Sequence, residues 1–190
     1  PPGSGKGDRA GTPAAATSEQ IVNPPQKGVR WLALVAAMLG TTLYMMTVTT
    51  SGTAVPHMQG AFSAAPDQMA WLFTAFIIGT TIMTACSGWL AMRFGRRNFY
   101  LASAIGFTIS SVLCGLSTSL EQAVLFRTLQ GITGAPLIPL GQAIAIDAFP
   151  PNRQGQATTL WSIGGMWGSI FGPILGGVLA ANYGWPWVFF

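Results

Sequence analysis

A chain of 190 residues that is 50% hydrophobic and only 7% charged, with a mean hydropathy of +0.47, has too few charges to coat a water-soluble globule. The net charge of +4 and the pI of 9.6 do not point to nucleic acid, because the basic residues stand in short clusters between apolar runs instead of along one face. Their natural partners are anionic lipid headgroups, so the composition predicts an all-α protein of the lipid bilayer, with no nucleic-acid partner.

Residues 1–30 are rich in Gly, Pro, Ala, Thr and Ser, show no periodicity, and read as a disordered tail. They lack the apolar core and cleavage site of a signal peptide, so the first apolar run is expected to be retained. That run, Trp31 to Val55, is long enough at ~1.5 Å per residue to cross a hydrocarbon core of ~30 Å, and Pro56 is expected to end it. Its second half, Thr47 to Thr53, is hydroxyl-rich. Such hydroxyls either look into the bundle or bond the preceding helical turn, and both readings can hold together. His57, just past the proline, reads as a hydrated loop residue before it reads as a proton carrier.

A second span is expected from Gln68 to Met92, with Asp67 capping its start. Next comes Gly88-Trp89-Leu90-Ala91-Met92-Arg93-Phe94-Gly95-Arg96-Arg97, which reads as a helix end, a glycine turn and a short positive loop. The third span, Phe99 to Leu116, carries Gly106, Ser110 and Ser111 and no visible chemistry. Cys86 and Cys114 both lie in apolar runs, so they read as small buried thiols and not as a disulfide or metal site. Ser119-Leu120-Glu121-Gln122 reads as a capping box that opens a fourth span running to Phe149.

Arg127 sits inside that fourth span, where an unpaired charge costs ~2.5 kcal/mol or more, so a functional role is the default reading and snorkelling the competing one. Arginine stays protonated and cannot itself pass a proton on, but it can tune a carboxylate or hold a wet site. Gly131 and Gly134 share its helical face, which sets the charge beside a close helix contact. Asp147, near the other end, reads as a helix-end contact.

After Pro150 and Arg153 a fifth span runs from Gln154 to Ala181. Gly164, Gly168, Gly172 and Gly176 recur every fourth residue, with Gly165, Ser169, Pro173 and Gly177 in a second row, so one face is nearly bare of side chains. In lipid such rows let helix backbones pack closely, and Pro173 predicts a bend. The chain begins with Pro1 and stops at Trp185-Pro186-Trp187-Val188-Phe189-Phe190, the opening of another apolar segment, and so reads as a fragment. Lys6, Arg9, Lys27, Arg30, Arg93, Arg96, Arg97 and Arg153 fall in the tail, the second loop or the fourth loop. The other loops hold no Lys or Arg, which places the N-terminus in the cytoplasm.

Three of these stretches resemble motifs of the major facilitator superfamily. Gly88, Leu90, Ala91, Arg93, Gly95, Arg96 and Arg97 match its loop between helices two and three, with Met92 where the family has an aspartate. Arg127, Gln130, Gly131 and Gly134 match its fourth-helix R-x-x-Q-G-x-x-G-A, whose arginine is linked to proton coupling. Gly168, Gly172, Pro173, Gly176 and Gly177 fill every fixed position of the fifth-helix antiporter motif G-x-x-x-G-P-x-x-G-G.

The flanks of the bundle, Val55 to Ser63 and Trp185 to Phe190, resemble the fourteen-helix drug:proton antiporter branch. Thr47 and Gly52 stand where its first helix usually bears an aspartate and an asparagine. The resemblance implies an N-terminal helical bundle over residues 31–190, with five transmembrane helices and the start of a sixth. It implies proton-coupled efflux of drug-like or amphipathic compounds across the cytoplasmic membrane by the full-length protein, this fragment alone being inactive. The implied partners are a small-molecule substrate, protons and the lipid bilayer, with a periplasmic adaptor and an outer-membrane channel added in a Gram-negative cell. A superfamily importer or peptide symporter and a non-transporting scaffold or sensor stay open as alternatives. No Ser/His/Asp, metal-ligand or phosphate-loop constellation is present in the sequence, so neither an enzyme nor a cofactor is expected.

Overall fold

The computed structural model describes residues 27–189, with side chains from Trp31 onward. The expected tail, apart from its last residues, lies outside them. Six α-helices follow one another: α1 Lys27–Phe62, α2 Pro66–Phe94, α3 Arg96–Gly115, α4 Leu120–Gly134, α5 Leu137–Asp147 and α6 Gln154–Tyr183. Short 3₁₀ turns, Pro151–Arg153 and Trp185–Val188, flank α6. Among the described residues five stretches are long and apolar enough to cross a membrane, α4 and α5 together forming the fourth.

Several expected boundaries move, each for a local reason. Pro56 lies inside α1 instead of ending it. A proline removes one helical donor, but Ala54 and Met58 on either side of it are buried in one core cluster, so packing holds both halves in line. His57 is therefore an exposed helical residue and not part of a loop. Asp67 is not the cap of α2: Ala65 holds that position, and its backbone N–H donates to Gln68 Oε1 (3.0 Å). At α4, Ser119 caps by accepting from the Gln122 N–H (3.3 Å), while Gln122 Oε1 reaches back one residue further than expected and accepts from the Thr118 N–H (3.2 Å). The fourth span divides at Ala135 and Pro136, since Pro136 brings no N–H to continue the ladder from α4.

The loop expected from Gly88 to Arg97 is almost wholly helical. Gly88 and Arg93 belong to α2, Arg96 and Arg97 to the first turn of α3, and Gly95 alone separates the helices. Its φ of 83° is a left-handed value that L side chains rarely adopt, which is why the reversal is made on glycine.

Two helix pairs pack most closely, α1 with α6 and α2 with α4. One core cluster gathers Tyr44, Phe76, Phe99, Tyr100 and Phe107, and another gathers Met58, Met69, Leu72, Cys114 and Phe189. Large apolar side chains such as Leu39, Ile77, Ile82, Ile105 and Leu125 point outward, as expected where the solvent is lipid. Cys114 is buried as expected, but Cys86 is exposed on the outer face of α2.

Candidate functional site: a glycine seam and a buried arginine

The α1–α6 seam is built from the first of the two small-residue rows. Gly164, Gly168, Gly172 and Gly176 are all buried against α1. A methyl on Gly168 would collide with the Thr42 carbonyl oxygen and stand 3.0 Å from Met45 Cβ, and one on Gly172 would collide with Thr49 Oγ1. At Gly176 it would meet Thr50 and Thr53. The second row behaves differently, with Ser169 and Pro173 exposed and nothing within 4 Å of the Cβ position of Gly177.

Threonines from α1 cross this seam. Thr42 Oγ1 lies 2.7 Å from the Gly164 carbonyl and Thr50 Oγ1 donates to the Gly172 carbonyl (2.9 Å). Both contacts have the same sequence separation of 122, so α1 and α6 run side by side in the same direction. Other hydroxyls of the run satisfy their own helix: Thr47 donates to Leu43, Thr49 to Met45 and Thr53 to Thr50. Both readings of the hydroxyl-rich stretch thus hold: Thr50 bonds across the seam, while Thr47, Thr49 and Thr53 bond their own helix.

Arg127 is buried, so it does not snorkel. Its guanidinium donates to Gln130 Oε1 and lies 5.2 Å from the Phe76 ring centre and 5.1 Å from that of Phe189. Gln130 in turn donates through Nε2 to Ser111 Oγ (2.6 Å), and Cys114 Sγ is 4.0 Å from Gln130 Oε1. Two aromatic faces and an amide carbonyl replace part of the lost hydration of the cation. Among the described residues the ion pair found is Arg96 with Asp147, at 2.6 Å and largely exposed, so no carboxylate neutralises Arg127. Gly131 lets this part of α4 meet α2 directly: a methyl there would strike the Phe76 carbonyl, and one on Gly79 would stand 2.7 Å from the Thr128 carbonyl. Gly134 makes room for Tyr44 and Phe107 in the same way.

The structure therefore brings Arg127, Gln130, Gly131 and Gly134 together on one face of α4. It sets Gly168, Gly172 and Gly176 in a separate seam, with Pro173 and Gly177 turned from it. Arg93 is exposed, Arg96 holds Asp147, and Arg97 lines a groove with Leu32, Ala36 and Tyr100. Met92, where the family has its aspartate, is 81% exposed. Sequence reading missed Phe76, Phe189, Ser111 and Thr42 as parts of these sites. Their side chains are ordinary in a membrane helix, and only proximity across distant elements marks them.

Long apolar helices joined backbone to backbone, with a buried cation between them, define a multi-pass membrane bundle. The Major Facilitator Superfamily profile matches residues 37–190, and the chain belongs to that superfamily. Multidrug export protein EmrB of Haemophilus influenzae is 38% identical over 167 residues, 88% of this chain and 33% of that protein. Probable multidrug resistance protein EmrY of Escherichia coli is 36% identical over 87% of this chain and 32% of its own length. Fatty acid resistance protein FarB of Neisseria gonorrhoeae is 38% identical over 88% of this chain and 33% of its own. The chain spans about a third of the length of these relatives. A crystal structure of a bacterial homolog of the human lysosomal transporter Spinster, inward-facing and unoccupied, shares the fold, with a TM-score of 0.67 at 24% identity over 87% of this chain and 36% of that one.

Proposed function

We propose that this chain is most of the N-terminal half of a proton-coupled exporter of drug-like, amphipathic organic molecules, with its N-terminus in the cytoplasm. The observation that carries the reading is the α1–α6 seam, in which the antiporter-motif glycines Gly168, Gly172 and Gly176 press on α1 with room for no side chain. Such a bare face lets one helix slide or bend on another between inward-open and outward-open states. The named activities of relatives at 36–38% identity support the same reading.

Arg127 serves coupling in this scheme without carrying the proton. Its charge is permanent, and a fixed cation in a low-dielectric site favours the ionised form of a nearby carboxylate. The acidic residues described here, Asp67, Glu121 and Asp147, all stand at span ends, so none of these three sits beside Arg127 to bind the proton. Transport needs the second half, and residues 1–190 alone are inactive. In a cell with an outer membrane, a periplasmic adaptor and an outer-membrane channel complete the route.

The test is reconstitution of the full-length protein into proteoliposomes with an imposed proton gradient and a fluorescent amphiphile inside or outside. Movement of the amphiphile against the proton flow, abolished by a protonophore, is the expected result. Movement that ignores the gradient, or that runs with the protons, would overturn antiport.

A further inference from the structure

Arg127 lies in the break between the two core clusters. Phe76 belongs to the cluster nearer the Gly95 reversal and Phe189 to the one nearer the Thr118 reversal, and the guanidinium stands between their rings. Since α4 opens at Leu120, the charge is about two helical turns, or ~10 Å, from the Thr118 end. The groups that enclose it are held differently. Phe76, Gln130 and Ser111 are carried by the long helices α2, α4 and α3. Phe189 stands on no α-helix: it follows the four-residue 3₁₀ turn Trp185–Val188, which leaves α6 through Gly184 at a φ of 91°. The Phe189 ring, buried, meets Trp185 edge-on at 6.4 Å, and Trp185 packs on Phe62 at the end of α1, at 5.1 Å. A string of three rings thus runs from the end of α1 to the buried cation.

We infer that Phe189 is a positioning residue that acts as the lid of the arginine site. Seated, it seals Arg127 from water at the Thr118 end of the bundle; withdrawn with its turn, it admits water to the layer of Arg127, Gln130 and Ser111. This rests on the export reading above, in which the coupling site opens to one side of the membrane at a time. A permanently charged guanidinium is costly to strip of water, and the ring face covers part of that cost. With the ring gone, the cation keeps Phe76 and one amide oxygen, and water is the replacement at hand. A short turn carries few backbone hydrogen bonds, so it opens locally at less cost than a helix of the bundle, and Gly184 supplies a backbone free to change its angles.

Cys114 reports the seal. It is 2% exposed, packs in the same cluster as Phe189, and its Sγ is 4.0 Å from Gln130 Oε1. Its thiol reacts with a charged methanethiosulfonate only where water and reagent reach it. The experiment places the full-length protein, with Cys114 as its only cysteine, in sealed vesicles and adds the membrane-impermeant trimethylammonium-ethyl reagent to one face at a time, the faces being told apart by labelling of Thr118→Cys. Phe189→Ala should speed modification of Cys114 about tenfold from the face that labels residue 118 and leave the rate from the other face unchanged, while Phe189→Tyr, which keeps the ring, should restore the parent's rate. An unchanged rate in Phe189→Ala, an equal rise from both faces, which is general loosening, or no restoration by tyrosine would overturn the lid. Where Phe189→Ala does not fold, Trp185→Ala, which removes the ring behind the lid, decides: faster modification from the residue-118 face alone supports it, and any other pattern sinks it. Proton-driven efflux of the parent separates the two readings. A parent that moves no amphiphile loses the export reading, whereas a parent that exports, and whose Cys114 access ignores Phe189, loses the lid alone.

Discussion

Arg127 shows how a single charge is kept inside an apolar bundle. The planar guanidinium fits between the rings of Phe76 and Phe189 and still aims a donor at Gln130. An ammonium keeps the charge but loses the plane, so Arg127→Lys should retain the fold and lower proton-driven efflux by about tenfold or more. Efflux rates compared at equal expression check this, and unchanged rates would reduce the arginine to a packing element. Gly95 is the second decisive residue. With φ at 83°, Gly95→Ala is expected to cost about 1–2 kcal/mol and to lower the midpoint of thermal unfolding, without any contact being lost. Nothing stands within 4 Å of its Cβ position, so a loss of stability there would come from the backbone alone.

Between elements, the α1–α6 seam makes neighbouring glycines of the same motif unequal. Gly168→Ala drives a methyl into the Thr42 carbonyl, which is backbone and cannot rotate away. It should lower thermal stability by roughly 1–3 kcal/mol, whereas Gly177→Ala, in the open row, should be neutral or slightly stabilising. Equal melting temperatures for the two variants would contradict this packing. Gly172→Ala meets chiefly the Thr49 hydroxyl, with the Met46 carbonyl at 3.0 Å from the added methyl. Removing that hydroxyl in the double variant Gly172→Ala/Thr49→Ala should restore most of the lost stability. If efflux stays absent while stability returns, the seam must move during transport. If efflux returns with stability, the glycine serves packing only.

At the scale of the whole molecule, the distribution of Lys and Arg predicts which end of the bundle faces the cytoplasm. Arg93, Arg96 and Arg97 cluster at one end of the bundle, while the reversal around Thr118 has no basic residue. Single cysteines placed by Phe94→Cys and Thr118→Cys, in a full-length background lacking Cys86 and Cys114, should report this directly. A membrane-impermeant maleimide added to intact cells is expected to label residue 118 and spare residue 94. The reverse pattern would invert the bundle.

The five apolar spans, the clustering of arginines around one reversal and the glycine repeat of α6 were legible in the sequence, because each depends on local quantities: length against bilayer thickness, side-chain size and charge position. Helix boundaries were less so. Pro56 stays within α1 because distant residues bury Ala54 and Met58 around it, and Gly88 stays helical because only Gly95 takes the left-handed turn. The sequence also announced two small-residue rows on α6 but had no means of choosing between them. Packing chose Gly164 to Gly176, since α1 offers its own backbone and threonines at matching register along that row. Likewise the motif named Arg127 and Gln130, while the enclosure by Phe76, Ser111 and Phe189 was decided by tertiary structure alone. A buried cation draws its surroundings from whichever helices reach it, and that proximity has no signature along the chain.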